Sequence, residues 1–143
     1  MLLLTACCSC GKTTDSTEYP RSIITFSSGG GVSAQVVGYT IDEDGQVTKW
    51  SGFAGKRDRS EVMDTLDEMS MRNVLRIVYS LPLGEMLFTE TGNMTSNLEI
   101  VSDELLYRYS WPGTLDDATD VPAELRALRD ALFDIVSAFP QYE

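Results

Sequence analysis

The stretch VSAQVVGYTIDEDGQVTKWS, residues 32–51, predicts a β-hairpin, and the rest of the fold can be built outward from it. Asp44 and Gly45 readily supply the positive φ angles of a tight turn. Apolar residues approximately alternate through residues 32–42, and in the returning strand Trp50 lies on the opposite face from Val47. The alternation slips near Gly38, which indicates either a β-bulge or a close approach to the backbone at that point.

The residues before this hairpin predict one more strand and a glycine-rich loop. Residues 22–26 are rich in β-branched and aromatic side chains, whereas residues 27–31 are only serine and glycine and are expected to break the strand. An exposed glycine-rich tip lets the backbone press against a protein partner. The candidate partner-contact loop therefore has four residues: Ser28, Gly29, Gly30 and Gly31. It lacks the lysine and the helix start that a phosphate-binding loop needs.

The residues after the hairpin predict a loop, a short strand and a helix. Residues 52–60 are glycine-rich and basic, as is typical of a loop, and an extended segment around Val62 returns to the sheet. Asp67 is expected to cap a helix that ends at Pro82, with Glu68 in the first turn, where the helix dipole favours an acidic side chain. The apolar residues of this helix fall three and four apart on one stripe: Met71, Val74, Leu75, Val78 and Leu81.

The last third of the chain predicts two strands and a second helix. The strands include Leu98 and Ile100, and then residues 105–111, with a turn at residues 102–104. The helix is expected over residues 122–139, with an apolar stripe and an opposite polar face that includes Arg129. The order β-β-β-(β)-α-β-β-α predicts an α+β fold, in which an antiparallel sheet of five to six strands carries two helices on one face. Residues 22–140 are expected to form this single domain.

The first residues resemble the bacterial lipobox, in which an aliphatic residue, two small residues and a cysteine follow one another. These are Leu4, Thr5, Ala6 and Cys7. The resemblance implies cleavage before Cys7 and attachment of a lipid to its thiol, with each buried methylene contributing about 0.8 kcal/mol to membrane binding. Residues 1–7 are then a signal remnant, and residues 8–21 are a flexible tether. A signal also needs a basic start and a longer apolar core, so an upstream extension or a truncation is expected. The alternative is a cytosolic protein whose apolar N-terminus happens to contain cysteines.

Composition limits the partners. The 22 acidic residues outnumber the 11 basic ones, and a net charge of −11 opposes binding to nucleic acid. The acidity is explained either by adaptation to a salty medium or by attraction to cations or a basic partner. One basic run stands out, Lys56, Arg57 and Arg59, and it is either a solvated loop or a contact for an acidic partner or lipid headgroups.

The residue types also exclude several chemistries. The absence of histidine removes Ser-His-Asp and Cys-His catalysis, and it leaves Cys7, Cys8 and Cys10 without the ligands that would complete a zinc site. The acidic clusters at residues 42–44 and 116–120 do not match the full calcium-binding loop. Turn formation and capping of the last helix by Asp120 account for them. We therefore expect no catalytic residue, no metal and no cofactor.

Seven residues carry a resemblance to the emfourin-like inhibitors of thermolysin-type metallopeptidases: Phe26, Ser28, Gly29, Gly30, Pro122, Leu125 and Leu128. The resemblance implies a Gly-Gly hairpin, a middle helix, two strands and a C-terminal helix. The chain has Val32 where that family favours phenylalanine, and its Asp-Gly hairpin is closer to uncharacterised bacterial envelope domains. No inhibitory residue is assigned from the resemblance.

Together these features favour a non-catalytic binding module, tethered by a lipid to the membrane of the bacterial cell envelope and facing the periplasm or the surface. Its expected partner is an envelope protein. The alternatives are a peptidase inhibitor, a structural envelope lipoprotein and a hydrolase that uses carboxylates.

Overall fold

The computed structural model describes residues 18–53, 56–103 and 105–140, which form a six-stranded antiparallel sheet and two helices. The elements in chain order are β1 Ser22–Gly30, β2 Gln35–Ile41, β3 Gln46–Phe53, β4 Arg59–Thr65, α1 Glu68–Ser80, β5 Met94–Ser102, β6 Leu106–Pro112, a 3₁₀ turn Ala123–Leu125 and α2 Arg126–Ser137. The strands lie in the order β4-β3-β2-β1-β5-β6. The predicted α+β class and element order are confirmed.

One face of the sheet carries the hydrophobic core. In the central strand β1, Ile24 lies opposite Ile41 and Ile100, and Phe26 lies opposite Tyr39 and Leu98. Directly opposed residues of paired strands point to the same side of a sheet, so these buried side chains share one face. The helices complete this core with Val74, Val78, Leu128, Leu132 and Val136. We call the face that they cover the helix face and the other one the open face.

The start of α1 follows from its capping residue. The backbone N–H of Ser70 donates to Oδ1 of Asp67 at 2.7 Å, and Arg72 pairs with Glu68 one turn earlier at 2.7 Å. The cap satisfies one of the N–H groups that have no partner within the helix. The helix ends at Ser80 because Pro82 follows Leu81. Both predicted ends of this helix are therefore confirmed.

The cap predicts an acid dependence of stability. The hydrogen bonds from Ser70 hold the pKa of Asp67 below its usual value of 3.8. A carboxyl group with a lowered pKa stabilises the fold above its unfolded-state pKa, and this stabilisation is lost as the pH falls through the folded-state pKa. In the Asp67→Asn variant the side chain at position 67 keeps a hydrogen-bond acceptor but has no carboxyl group to titrate. We therefore expect the stability of the variant to fall less than that of wild type between about pH 5 and pH 2.

Urea unfolding midpoints measured across this pH range test the prediction. Asp103→Asn, in the exposed turn between β5 and β6, is the matched control and should follow wild type. An Asp67→Asn curve that runs parallel to wild type would show that the cap does not contribute to the acid dependence.

The last helix differs from its prediction at two positions. Asp120 does not cap it, because the helix is preceded by a 3₁₀ turn that starts after Pro122 and has no side-chain cap. Arg129 does not face solvent: its side chain is 11% exposed, and its Nε and Nη2 donate to the carbonyl oxygen of Leu115 at 3.0 and 2.5 Å. Its guanidinium group also lies 4.6 Å from the ring centroid of Phe133. The loop between β6 and α2 thus covers Arg129, whereas Arg126 and Asp130 on the same helix remain exposed.

Candidate functional site

The glycine-rich run lies in the sheet and not in a loop. Ser28, Gly29 and Gly30 belong to β1, which pairs with β2 on one side and β5 on the other. The predicted break at residues 27–31 is therefore wrong. Close packing of the backbone explains the glycines: a Cβ on Gly29 would lie 2.5 Å from the carbonyl oxygen of Gln35, and Gly30 has a φ of 127°.

The exposed tip between β1 and β2 starts three residues later than the predicted contact loop. Gly31 begins the turn, and its N–H donates to the carbonyl oxygen of Asn93 at 2.7 Å. The residues most exposed at the tip are Val32, Ser33 and Ala34. Of the four candidate contact residues, only Gly31 lies at the tip.

The candidate lipid attachment site, Cys7, lies outside the described residues, as do Cys8 and Cys10. Neither α1 nor α2, the helices of the described residues, has the length and hydropathy of a membrane-spanning segment. The lipid anchor therefore stays a prediction from the sequence.

The most exposed strand of the sheet is β4. Six of its seven residues are exposed, and Met63 is half-buried. In the described part of the chain β4 hydrogen-bonds only to β3, so its outer edge has no strand beside it. The opposite edge of the sheet is covered at Ser110 of β6: its N–H donates to the carbonyl oxygen of Phe88 at 2.8 Å, and Thr89 forms an isolated parallel β-bridge with it.

The register of β4 against β3 decides which way its side chains point. Glu61 lies opposite Lys49 and Arg59 lies opposite Ser51, which places both on the helix face. Ser60 and Val62 alternate with them and lie on the open face, where Val62 is 56% exposed. The register shifts between Val47 and Thr48, so that Met63 has no opposite residue in β3. Met63 is therefore a β-bulge that separates a regular segment, residues 59–62, from the end of the strand.

A groove of about 560 Å³ runs along β4 on the helix face. Its charged lining residues are Lys49, Arg59 and Glu61, and Met63 and Pro140 contribute apolar surface. The groove is open because α2 ends at Ser137 and leaves this part of the sheet uncovered. An extended chain can thus approach β4 without displacing a helix.

The predicted basic loop is shorter than expected and partly ordered by stacking. Strand β3 continues to Phe53, and β4 begins already at Arg59. The guanidinium group of Arg57 lies 4.4 Å from the ring centroid of Trp50. On the open face the Trp50 ring lies over Gly38, and its Nε1 donates to Oγ1 of Thr40 at 3.2 Å. The phase slip noted at Gly38 thus corresponds to a close approach, here of an indole ring.

The acidic turns use their carboxylates locally. Oδ1 of Asp42 accepts from the N–H groups of Asp44 and Gln46, both at 2.9 Å, and Arg21 pairs with Glu43 and Asp44. Across residues 18–53, 56–103 and 105–140 no three acidic or cysteine side chains are grouped as a metal site requires. The outer edge of β4, in contrast to these carboxylates, presents backbone N–H and C=O groups that can pair with another chain.

Comparison of the sequence with known families finds no matching family model, and comparison with curated proteins finds no significant similarity. The sequence signal for the candidate site was modest, an extended segment around Val62 beside a basic run. The edge position of that segment could not be read from the sequence, because strand order is set by tertiary packing. The candidate site is accordingly defined by its geometry.

Proposed function

We propose that the chain is a non-catalytic binding module, tethered through Cys7 to a membrane of the bacterial cell envelope, which binds a polypeptide by strand addition at β4. The observation that carries this proposal is the exposed outer edge of β4 in the described structure. Strand addition needs an uncovered edge, since the main-chain hydrogen bonds provide affinity and alternate side chains provide specificity.

The surroundings of β4 support this mode of binding. Natural proteins blunt an exposed edge with proline, with charged side chains or with a bulge. Residues 59–65 contain no proline, and the bulge at Met63 leaves residues 59–62 regular. Within residues 59–62, the charged side chains of Arg59 and Glu61 are the features that blunt the exposed edge. They limit unspecific pairing and select partners of complementary charge pattern.

The tether supports the same proposal from the sequence. A lipid at Cys7 and a polar segment over residues 8–21 would hold the domain close to the membrane while leaving β4 accessible. A small contact such as a strand edge gains from this arrangement, because confinement to a membrane raises the effective concentration of partners.

Synthetic peptides test the strand addition. We expect that, among extended peptides of about nine residues with valine or threonine at alternate positions and with acidic, basic or mixed charges between them, at least one version binds. Binding is followed by fluorescence anisotropy, and its site by hydrogen exchange. The amides among residues 59–62 that point away from β3 should exchange about tenfold more slowly with peptide bound.

Two proline variants provide the control. Adjacent residues of a strand direct their N–H groups to opposite sides, so of Ser60→Pro and Glu61→Pro one removes a bond to β3 and the other removes an outward donor. The variant with the outward donor removed should keep the unfolding midpoint of wild type and lose the peptide. Binding that protects other amides, or no binding by any version, would contradict strand addition at β4.

A further inference from the structure

We propose that the strand which adds to β4 is β4 of a second copy of this chain, paired antiparallel about a two-fold axis through Ser60. This inference rests on the proposed function, because it names the partner for the same edge. It is carried by the charge pattern of residues 59–61 and by the position of the bulge at Met63.

Symmetry restricts how two copies of one strand can pair. A two-fold axis perpendicular to the sheet relates antiparallel copies and keeps each residue on the same face in both. Directly opposed residues must also point to the same side. Both conditions are met only when one residue lies directly opposite its own copy. Every other residue then lies opposite a residue that is an even number of positions away in the sequence. The register is then named by the residue that lies on the axis.

The register with Ser60 on the axis places Arg59 of each copy directly opposite Glu61 of the other. Both residues lie on the helix face, and both are exposed. In directly opposed positions the Cβ atoms are about 5 Å apart, which is within reach of an ion pair for these long side chains. The two-fold axis repeats the contact, so each interface contains two Arg59–Glu61 pairs and an uncharged Ser60–Ser60 pair between them.

The neighbouring registers bring like charges together. With Glu61 on the axis, the two Glu61 carboxylates face each other, and with Arg59 on the axis the two guanidinium groups do so. Like charges in directly opposed positions destabilise a strand pair. The charge pattern Arg-Ser-Glu therefore selects the Ser60 register over the registers on either side of it.

The bulge fits the same register. Pairing about Ser60 places Arg59, Ser60 and Glu61 of one copy opposite Glu61, Ser60 and Arg59 of the other, and it stops before Met63. A bulge commonly ends a ladder, because the extra residue turns the strand away. The regular segment at residues 59–62 therefore contains all three residues of the proposed contact.

The pairing would join two six-stranded sheets into one continuous sheet. Because the axis is perpendicular to the sheet, the helices of both copies lie on the same side and both open faces lie on the other. The groove beside Arg59 continues across the axis into the groove of the second copy.

Charge substitutions in the full chain of 143 residues test the register. Sedimentation velocity over a concentration series, under reducing conditions and at physiological salt, should show a reversible species of twice 15.8 kDa. Arg59→Glu places Glu opposite Glu, and Glu61→Arg places Arg opposite Arg, so each should raise the dimer Kd about tenfold or more. The double variant Arg59→Glu, Glu61→Arg should recover the wild-type Kd. Arg76→Glu, on the exposed side of α1, makes the same change in net charge as Arg59→Glu and should leave the Kd unchanged.

A cross-link tests the axis itself. Ser60→Cys, in a background with Cys7→Ser, Cys8→Ser and Cys10→Ser, should form a disulfide between copies on mild oxidation. Opposed Cα atoms in antiparallel strands are about 4.5 to 5.5 Å apart, which a disulfide can span. Ser80→Cys, an exposed position at the end of α1, is the control and should cross-link far more slowly.

The outcomes separate this inference from the proposed function. A chain that is monomeric throughout the series, or a dimer that neither single substitution weakens, would overturn the pairing of two copies. Peptide binding is then measured on the Arg59→Glu variant, in which β4 does not pair with a second copy. If the peptide protects residues 59–62, strand addition at β4 is retained and only the pairing of two copies is rejected. If the peptide does not protect them, both proposals are rejected.

Discussion

Gly38→Ala is expected to lower the free energy of unfolding by about 2 kcal/mol or more, an unusually large effect for the addition of one methyl group. A Cβ at this position would lie 2.4 Å from Cζ2 of Trp50 and 2.7 Å from Cβ of Ser27. Such distances are far below van der Waals contact, and Gly38 is held between β1 and β3 on both sides. The Trp50 ring must therefore move, and the hydrogen bond to Thr40 and the stacking of Arg57 on the ring are disturbed with it.

Urea unfolding followed by tryptophan fluorescence measures this effect. Gly84→Ala is the matched control, because a Cβ there would meet nothing within 4 Å. It should leave stability within about 0.5 kcal/mol of wild type. If Gly38→Ala proved as stable as Gly84→Ala, the ring of Trp50 would not lie over the backbone at Gly38.

Cys7→Ala is expected to move the protein almost completely from the membrane into the aqueous phase, because it removes the thiol that would receive the lipid. The physical basis is the transfer of acyl chains, at about 0.8 kcal/mol for each buried methylene. Without these chains the acidic domain has a net charge that anionic lipid surfaces repel. The variant is expressed from its own gene with its native upstream sequence, and it is assayed by detergent partitioning and intact mass.

Cys10→Ala is the control for this experiment, since it removes a cysteine from the same segment and leaves the lipobox pattern intact. It should partition with wild type and retain the lipid mass. A wild-type protein that carries an unmodified Met1, or a Cys7→Ala protein that remains in the detergent phase, would rule out the anchor at Cys7.

Periodic and local signals were sufficient for most elements of the fold. The apolar stripe of α1 and its Asp67 cap predicted both ends of that helix, because capping and amphipathic packing depend on residues only a few positions apart. The Asp-Gly turn was predicted for the same reason: the N–H of Gly45 donates to the carbonyl oxygen of Asp42, within the turn itself.

Predictions from the sequence were wrong where the surroundings of a residue are set by other parts of the chain. The serine and glycine run at residues 27–31 has a composition typical of a loop, yet β2 and β5 enclose most of it and close packing requires the small residues. Arg129 has the spacing of a solvent-facing residue, but the loop at Leu115 covers it. Leu115 lies 14 positions before Arg129, and β5 begins at Met94, far from the glycine run along the chain.

By itself, the sequence determined the class and order of the elements, the ends of α1, the absence of histidine chemistry and the expectation of a lipid at Cys7. Only the tertiary structure decided that β1 lies in the middle of the sheet and β4 at its edge. The reason is physical: hydrophobic period and turn chemistry are local, whereas strand order depends on which arrangement buries Ile24, Leu128 and their neighbours together. The exposed edge at Arg59, Ser60 and Glu61, on which the proposed binding depends, is a consequence of that arrangement.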